Sequence, residues 1–234
     1  MDALMKTLIA AIMAFAIMLA SASSVRAGVQ INDIITLTNS FGHPGGSFIA
    51  TDLTNPTVLP FKTYCAELEE IVFFNTPYKV VGIGTISVTG GKSLTPFAAW
   101  LYDRSLGHSG GLKNSSSVSN FNPNDHIDNN IVQFGIWKSL GYTPGQINAL
   151  ASPIDYATYD ALLTAKQWFT VFNIQSAANQ LAGAGNVRIM NLKFNTTNAQ
   201  DQFLEVPEPL SAIIWPLILV SVGGAWTFIF RRRA

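Results

Sequence analysis

The chain has 234 residues, of which 48% are hydrophobic and only 12% charged, and its 14 basic and 14 acidic side chains cancel. So few charges exclude a disordered polar chain, because such chains combine high charge with few apolar residues. They also exclude a general nucleic-acid binder, which needs a basic surface to neutralise phosphates.

The amino-terminal 27 residues have the pattern of a secretory signal peptide. Lys6 precedes an apolar run from Leu8 to Ala20, and segment 25–27 places small residues at both positions that a signal peptidase reads. The apolar run is too short to span a membrane comfortably. We therefore expect export and a mature chain that begins near Gly28, with an uncleaved anchoring helix as the alternative.

The segment Gly28–Val206 is expected to fold as one α+β domain, a sheet or sandwich with a helical insertion. Its nine basic and twelve acidic side chains predict no particular partner, and it has no repeat of fixed period. Alternating or β-branched residues predict six strands: Val29–Leu37, Ser47–Ala50, Phe61–Leu68, Tyr78–Val88, Asn186–Phe194 and Asp201–Val206. Apolar residues at helical spacing predict three helices: Pro96–Leu106, Asn124–Leu140 and Asp155–Leu181. Strands, then helices, then strands is an order typical of α+β proteins.

A second apolar segment lies near the carboxyl terminus. Leu210–Phe230 contains no charged residue, and as a helix it would be about 31 Å long, which matches a bilayer core of about 30 Å. Arg231, Arg232 and Arg233 follow at once, and basic clusters stay on the cytoplasmic side. We therefore expect a single transmembrane helix that leaves Gly28–Val206 on the outer side.

Pro207, Glu208 and Pro209 stand immediately before this helix, so the tail reads VPEP, apolar helix, arginine cluster. This order resembles the PEP-CTERM sorting signal, also catalogued as the ice-binding protein C-terminal domain. The resemblance implies that an exosortase, a membrane protease-transpeptidase, recognises and removes the tail. It further implies a structural or adhesive role at the cell surface or in the extracellular matrix.

Cys65 is the only cysteine, so an internal disulfide is impossible. A lone thiol outside the cell can oxidise or cross-link, and its presence needs an explanation. Three explanations are open: burial as a small hydrophobe, an intermolecular disulfide, or chemical masking.

Three short motifs favour masking. TYCAE at 63–67, VQFGIW at 132–137 and AQDQFL at 199–204 follow one another along the chain. In this order they resemble the Tyr/Phe-Cys-apolar, Thr-Gln-x-x-apolar-Trp and apolar-Gln-x-x-apolar-apolar motifs of the TQxA group, the thioester domains of bacterial surface adhesins. Two positions depart from that pattern, since Val132 replaces threonine and Ala199 is a weak apolar match.

The resemblance implies an internal thioester between the Cys65 sulfur and the side-chain carbonyl of Gln200, formed with loss of ammonia. A lysine amine or another nucleophile on a surface or matrix partner would then open it and leave a covalent bond. The residues that complete the motifs are Tyr64, Glu67, Gln133 and Trp137. Gln133 and Gln202 are rival partners for the sulfur.

Other chemistry-bearing patterns are weaker. GHSGG at 107–111 matches the nucleophile-elbow pattern around Ser109, but a helix rather than a strand precedes it. GGKS at 90–93 lacks the earlier glycine of a P-loop. His43, His108 and His126 stand singly, so we expect no metal and no cofactor.

The sequence therefore predicts an exported, non-enzymatic protein that cross-links covalently through Cys65. A non-covalent binding or matrix protein with an inert buried cysteine is the second hypothesis, and a secreted hydrolase that uses Ser109 is the third. The acidic run Glu67, Glu69 and Glu70 is expected to be a solvated guard on an edge strand.

Overall fold

The computed structural model describes residues 28–39, 47–108, 111–112, 120–151, 154–168 and 186–206. All of them belong to one compact unit, Gly28–Val206. The predicted signal peptide, transmembrane helix and sorting motif lie outside the described residues. Among the helices that are described, none is both long enough and apolar enough to cross a membrane.

Six described strands form one antiparallel sheet. They are β1 Ile34–Asn39, β2 Phe48–Asp52, β3 Phe61–Thr63, β4 Pro77–Gly84, β5 Val187–Phe194 and β6 Thr197–Glu205. Their order across the sheet is β3-β2-β1-β4-β5-β6. The α+β class is therefore confirmed, and the described strands form a single sheet instead of the two-sheet sandwich.

The sheet closes on itself where its two edge strands meet. The residues directly after β3 turn away from β2 and pair with β6, through a bridge between Cys65 and Gln202. Within this seam, Ala66 N donates to Asp201 O at 2.8 Å. Closure satisfies backbone N–H and C=O groups that an open edge would leave exposed. It also explains why β3 is shorter than the predicted strand Phe61–Leu68.

Four described helices lie between β4 and β5: α1 Pro96–Ser105, α2 His126–Ser139, α3 Pro144–Leu150 and α4 Tyr156–Lys166. Each begins after a residue whose side-chain oxygen accepts a hydrogen bond from a first-turn backbone N–H, namely Thr95, Asp125, Thr143 and Asp155. Such caps satisfy backbone donors that have no partner within the helix. Both α1 and α4 pack against α2.

The helices differ from the sequence prediction at two places. α3 was not predicted, yet Thr143 and Gln146 form a capping box and Pro144 occupies the first turn, which is a strong start signal. α4 ends at Lys166, well short of the predicted Leu181, because Gln167 is left-handed with a φ of 50°. Residues 169–185 lie outside the described part of the chain.

Strand β5 separates two apolar clusters. Ile189 and Met190 are neighbours and therefore point to opposite faces of the sheet. Ile189 belongs to a cluster shared with helix residues such as Phe134, whereas Met190 packs with residues of β1 and β4. Cys65 belongs to the helix-side cluster.

Candidate functional site

Cys65 lies in the seam that closes the sheet, and only 1% of its surface is exposed. The residues on either side of it pair with β6. Tyr64 O accepts from Phe203 N at 2.9 Å, which complements the bond from Ala66. The sulfur is therefore carried by backbone that is fixed on both sides, not by a free loop.

The side-chain amide of Gln202 contacts this sulfur. Gln202 Nε2 donates to Cys65 Sγ at 3.5 Å and to Gln200 O at 3.3 Å, so both of its N–H groups are used. Thr63 Oγ1 is 3.4 Å from Gln202 Oε1. However, a hydroxyl has one proton, and that of Thr63 is committed to Phe203 O at 2.5 Å. The amide nitrogen of Gln202 therefore holds this side chain against the Cys65 thiol.

Gln133 fixes the backbone of Cys65 from the helical layer. Its Oε1 accepts from Cys65 N and its Nε2 donates to Cys65 O, both at 2.8 Å. The Gln133 side chain is fully buried, and it pairs with Cys65 as a neighbouring strand would. Both polar atoms of the Gln133 amide bond the backbone of Cys65 and not its sulfur. Gln133 is therefore a positioning residue.

The side-chain amide of Gln200 has a different hydrogen-bond partner. Its Nε2 donates to Glu67 O at 2.6 Å. The β5–β6 pairing shifts by one residue between Met190 and Leu192. This shift is a β-bulge, which changes the direction of side chains along a strand. The resemblance predicts Gln200 as the partner of Cys65, whereas the hydrogen bond to Sγ comes from Gln202.

Asp201 stands between the two glutamines and completes the bulge. Its Oδ1 accepts from Leu192 N at 2.9 Å and its Oδ2 accepts from Val88 N at 2.7 Å. Burial, together with the nearby charge of Glu67, raises the pKa of the Asp201 carboxyl to about 7. Sequence reasoning missed Asp201, because its partners are brought to it only by the fold.

The acidic run after Cys65 is only partly solvated. Glu67 is fully buried, which makes the edge-guard interpretation wrong for this residue. Its Oε1 accepts from Gly90 N at 2.5 Å. Glu69 Oε2 accepts from the Tyr142 hydroxyl at 2.6 Å. Burying a carboxylate is tolerated only when donors of this kind compensate its lost hydration.

Burial also sets the protonation state of the sulfur. It raises the pKa of the Cys65 thiol far above its ordinary value, and the charge of Glu67 adds to this effect, while the hydrogen bond from Gln202 opposes it. The thiol is therefore neutral at physiological pH. Because so little of Cys65 is exposed, the folded domain does not present the sulfur for a disulfide with a second chain.

A cavity of about 630 Å³ reaches Cys65 and Gln200. Its wall is mainly apolar and includes Phe48, Phe74, Trp137 and Leu150, with Glu69 and Glu70 among the polar lining residues. Two buried polar atoms of this lining, Trp137 Nε1 and Glu70 Oε2, have no hydrogen-bond partner among the described residues. The lining therefore includes one donor and one acceptor without partners among the described residues.

The remaining predicted residues divide into two groups. Tyr64 is a packing residue, whose hydroxyl donates to Asn129 Oδ1 at 2.8 Å and whose ring meets Tyr102 edge-on. Residues outside the described part of the chain are Ser109 and the sorting-signal residues Pro207, Glu208, Pro209, Arg231, Arg232 and Arg233.

Comparison with known proteins adds no relative. No protein-family model matches the chain, and neither a curated protein nor a solved structure does.

Proposed function

We propose that this chain is an exported structural or adhesive protein of the cell surface or extracellular matrix. Its domain Gly28–Val206 forms an internal thioester between Cys65 and Gln202 and uses it to bind a partner covalently. One observation carries the proposal: the Gln202 amide lies 3.5 Å from the Cys65 sulfur inside a buried, closed seam. Each molecule would form this bond once, so the proposed role is not enzymatic.

The bond forms without an external reagent. Cys65 Sγ attacks Cδ of Gln202, the Cδ–Nε2 bond breaks, and the thiol proton leaves with the nitrogen as ammonia. A primary amide is a weak electrophile, but a fixed contact of this kind replaces activation by proximity. Because the thiolate is the nucleophile, the Cys65 proton must leave the sulfur during the attack and be transferred to the departing nitrogen.

The surroundings would preserve the thioester until a partner arrives. Cys65 and Gln202 are both inaccessible to bulk water, so hydrolysis would be slow. The cavity reaches Cys65, the sulfur end of this bond, and would admit a partner there. An incoming amine would attack the thioester carbonyl, form an amide with the former Gln202 side chain and return Cys65 to the thiol.

The lining of the cavity supports an amine on an apolar stem, such as a lysine side chain. The apolar wall would pack against the methylene groups. Glu70 Oε2 lacks a partner among the described residues and would accept from an ammonium or amide N–H. Trp137 Nε1, also without such a partner, would donate to a carbonyl oxygen that gains negative charge during the attack.

Intact mass of Gly28–Val206, exported into an oxidising compartment and purified without reducing agent, tests the thioester. We expect a mass one ammonia below the calculated value. Methylamine should open the thioester to a methylamide, which adds the mass of one whole methylamine, and the same treatment should expose one titratable thiol. Cys65→Ala is the matched control and should show its full calculated mass before and after methylamine.

An unaltered wild-type mass with a free thiol would remove the thioester and leave the second hypothesis, a non-covalent binding or matrix protein. That hypothesis is favoured by a specific observation, the raised pKa of the buried Cys65 thiol, which is also what an inert core cysteine would show.

Export and sorting are a separate part of the proposal, supported by the order of the tail: Pro207-Glu208-Pro209, the apolar segment 210–230 and the arginines 231–233. We propose an exosortase as the partner that removes this tail after the helix has anchored the chain in the membrane. Segment 207–234 should be fused to an exported reporter and expressed with and without an exosortase. Processing should require the enzyme, and equal processing in both hosts would defeat this part alone.

A further inference from the structure

We propose that Asp103, His108 and Glu205 form a binding site for a divalent transition-metal ion of the zinc class. One ligand atom from each of these side chains lies within 4.8 Å of the other two. His108 Nδ1 is 3.0 Å from Asp103 Oδ1 and 3.7 Å from Glu205 Oε1. This site is distinct from the Cys65 seam, and it does not depend on the thioester.

The fold assembles the three ligands from elements far apart in sequence. Asp103 lies in the last turn of α1, and Glu205 is the last residue of β6. Between Asp103 and His108, Gly107 adopts a φ of +92°, a conformation that side chains disfavour. This left-handed turn, closed by the bond from Gly107 N to Arg104 O at 3.0 Å, reverses the chain. His108 is therefore directed back onto the last turn of the helix.

The donor set fits zinc better than calcium or magnesium. Zinc binds imidazole nitrogen and carboxylate oxygen at about 2.0–2.2 Å in tetrahedral geometry, which places neighbouring ligand atoms roughly 3.3–3.6 Å apart. The two separations from His108 Nδ1, 3.0 and 3.7 Å, lie on either side of that range. Calcium and magnesium instead prefer six or more oxygen ligands, which this cluster does not offer. Water would complete the coordination at the exposed side.

A second imidazole–carboxylate pair in the same domain provides the internal comparison. His126 Nδ1 is 3.9 Å from Asp125 Oδ1 at the start of α2. Asp125 is the cap of α2, and His126 is the first residue of that helix. Among the described residues, no third metal-binding side chain joins this pair. The convergence of two carboxylates from separate elements on one ring nitrogen is what distinguishes His108.

Metal binding would tie α1 to β6, the strand that carries Gln202 and ends just before the sorting motif. A bound ion stabilises the folded state by an amount that grows with its concentration over its dissociation constant. Thermal stability should therefore respond to zinc even when Cys65 is absent.

The full-length chain, purified in detergent without a histidine tag and freed of metal by a chelator, is titrated with ZnCl2 by calorimetry and by thermal unfolding. We expect one equivalent to bind and the unfolding temperature to rise. Substituting His108→Ala should weaken binding roughly tenfold or more, the range seen for disrupted metal sites. His126→Ala is the matched control and should bind as the wild type does. Neither MgCl2 nor CaCl2 should reproduce the shift.

Cobalt gives an independent spectroscopic readout, because its visible absorption reports tetrahedral coordination by the protein. The band should appear in the wild type and in Cys65→Ala but not in Glu205→Gln, which keeps the shape of the side chain. No binding of zinc or cobalt, or equal binding by wild type and His108→Ala, would overturn the site. Since Cys65→Ala retains the site but loses the thioester, the two proposals fail separately.

Discussion

Gln202 and Cys65 face each other across the bridge that closes the sheet, with the amide nitrogen of one 3.5 Å from the sulfur of the other. Each belongs to an edge of the sheet, so the contact exists only because the two edges meet. The seam thus brings together a thiol and an amide separated by 137 positions in the chain.

The seam predicts which glutamine reacts. Gln202→Ala should abolish the ammonia deficit in the intact mass, because it removes the side-chain amide that contacts the sulfur. Gln200→Ala should retain the deficit, since the Gln200 amide donates to Glu67 O and not to Sγ. Peptide mapping after methylamine treatment locates the modified residue. Labelling at position 200 would reverse this assignment in favour of the partner implied by the adhesin motifs.

Gln133 should matter for stability more than its distance from the reacting atoms suggests. Gln133→Ala leaves the buried N–H and C=O of Cys65 without partners, and each unsatisfied group costs about 1–3 kcal/mol. Urea unfolding of Gly28–Val206 should therefore show a loss of about 2–6 kcal/mol. The exposed Gln30 is the control, and Gln30→Ala should change the free energy of unfolding by less than about 0.5 kcal/mol. Equal effects of the two substitutions would contradict the positioning role.

Asp201 should make the domain less stable as the pH rises. Its pKa is raised from 3.8 to about 7, so the folded state binds a proton that the unfolded state has already released. The resulting stability is complete below pH 4 and is lost as the pH rises to 7 and above. The slope between these values is about 1.4 kcal/mol per pH unit.

Urea unfolding from pH 4 to pH 8 checks this dependence. The slope due to Asp201 should disappear in Asp201→Asn. Asp155→Asn is the control, because backbone hydrogen bonding by Thr158 lowers the pKa of this exposed carboxyl and moves its titration below that window. A wild-type slope that survives in Asp201→Asn would assign the dependence to another group.

Glu70 should favour nucleophiles that carry a second positive charge. With 1,4-diaminobutane, one ammonium can pair with Glu70 while the other amine attacks the thioester. Glu70→Gln should slow this reaction about two- to fivefold, the range expected of a partly exposed ion pair. Reaction with uncharged hydroxylamine should be unchanged, and added salt should reduce the difference. Equal slowing of both nucleophiles would indicate a general distortion of the cavity.

The sequence by itself determined the parts of the fold that depend on local signals. Helix starts at Thr95 and Asp125 follow from capping side chains beside apolar residues at helical spacing. The alternation of apolar and polar residues is also a local signal, and it located most of the strands. The end of α4 was misplaced, because the left-handed conformation of Gln167 has no distinctive sequence signal.

Only the tertiary structure decided which side chains meet. The adhesin motif points to Gln200, whereas the tertiary structure brings the amide of Gln202 to the sulfur, next to a one-residue shift in strand pairing. His108 looks isolated along the chain, yet a turn at Gly107 and the end of β6 bring it to two carboxylates. The physical reason is that local patterns report torsional preference and burial, whereas chemistry depends on contacts between distant residues. Those contacts are fixed by how strands register and where the sheet closes.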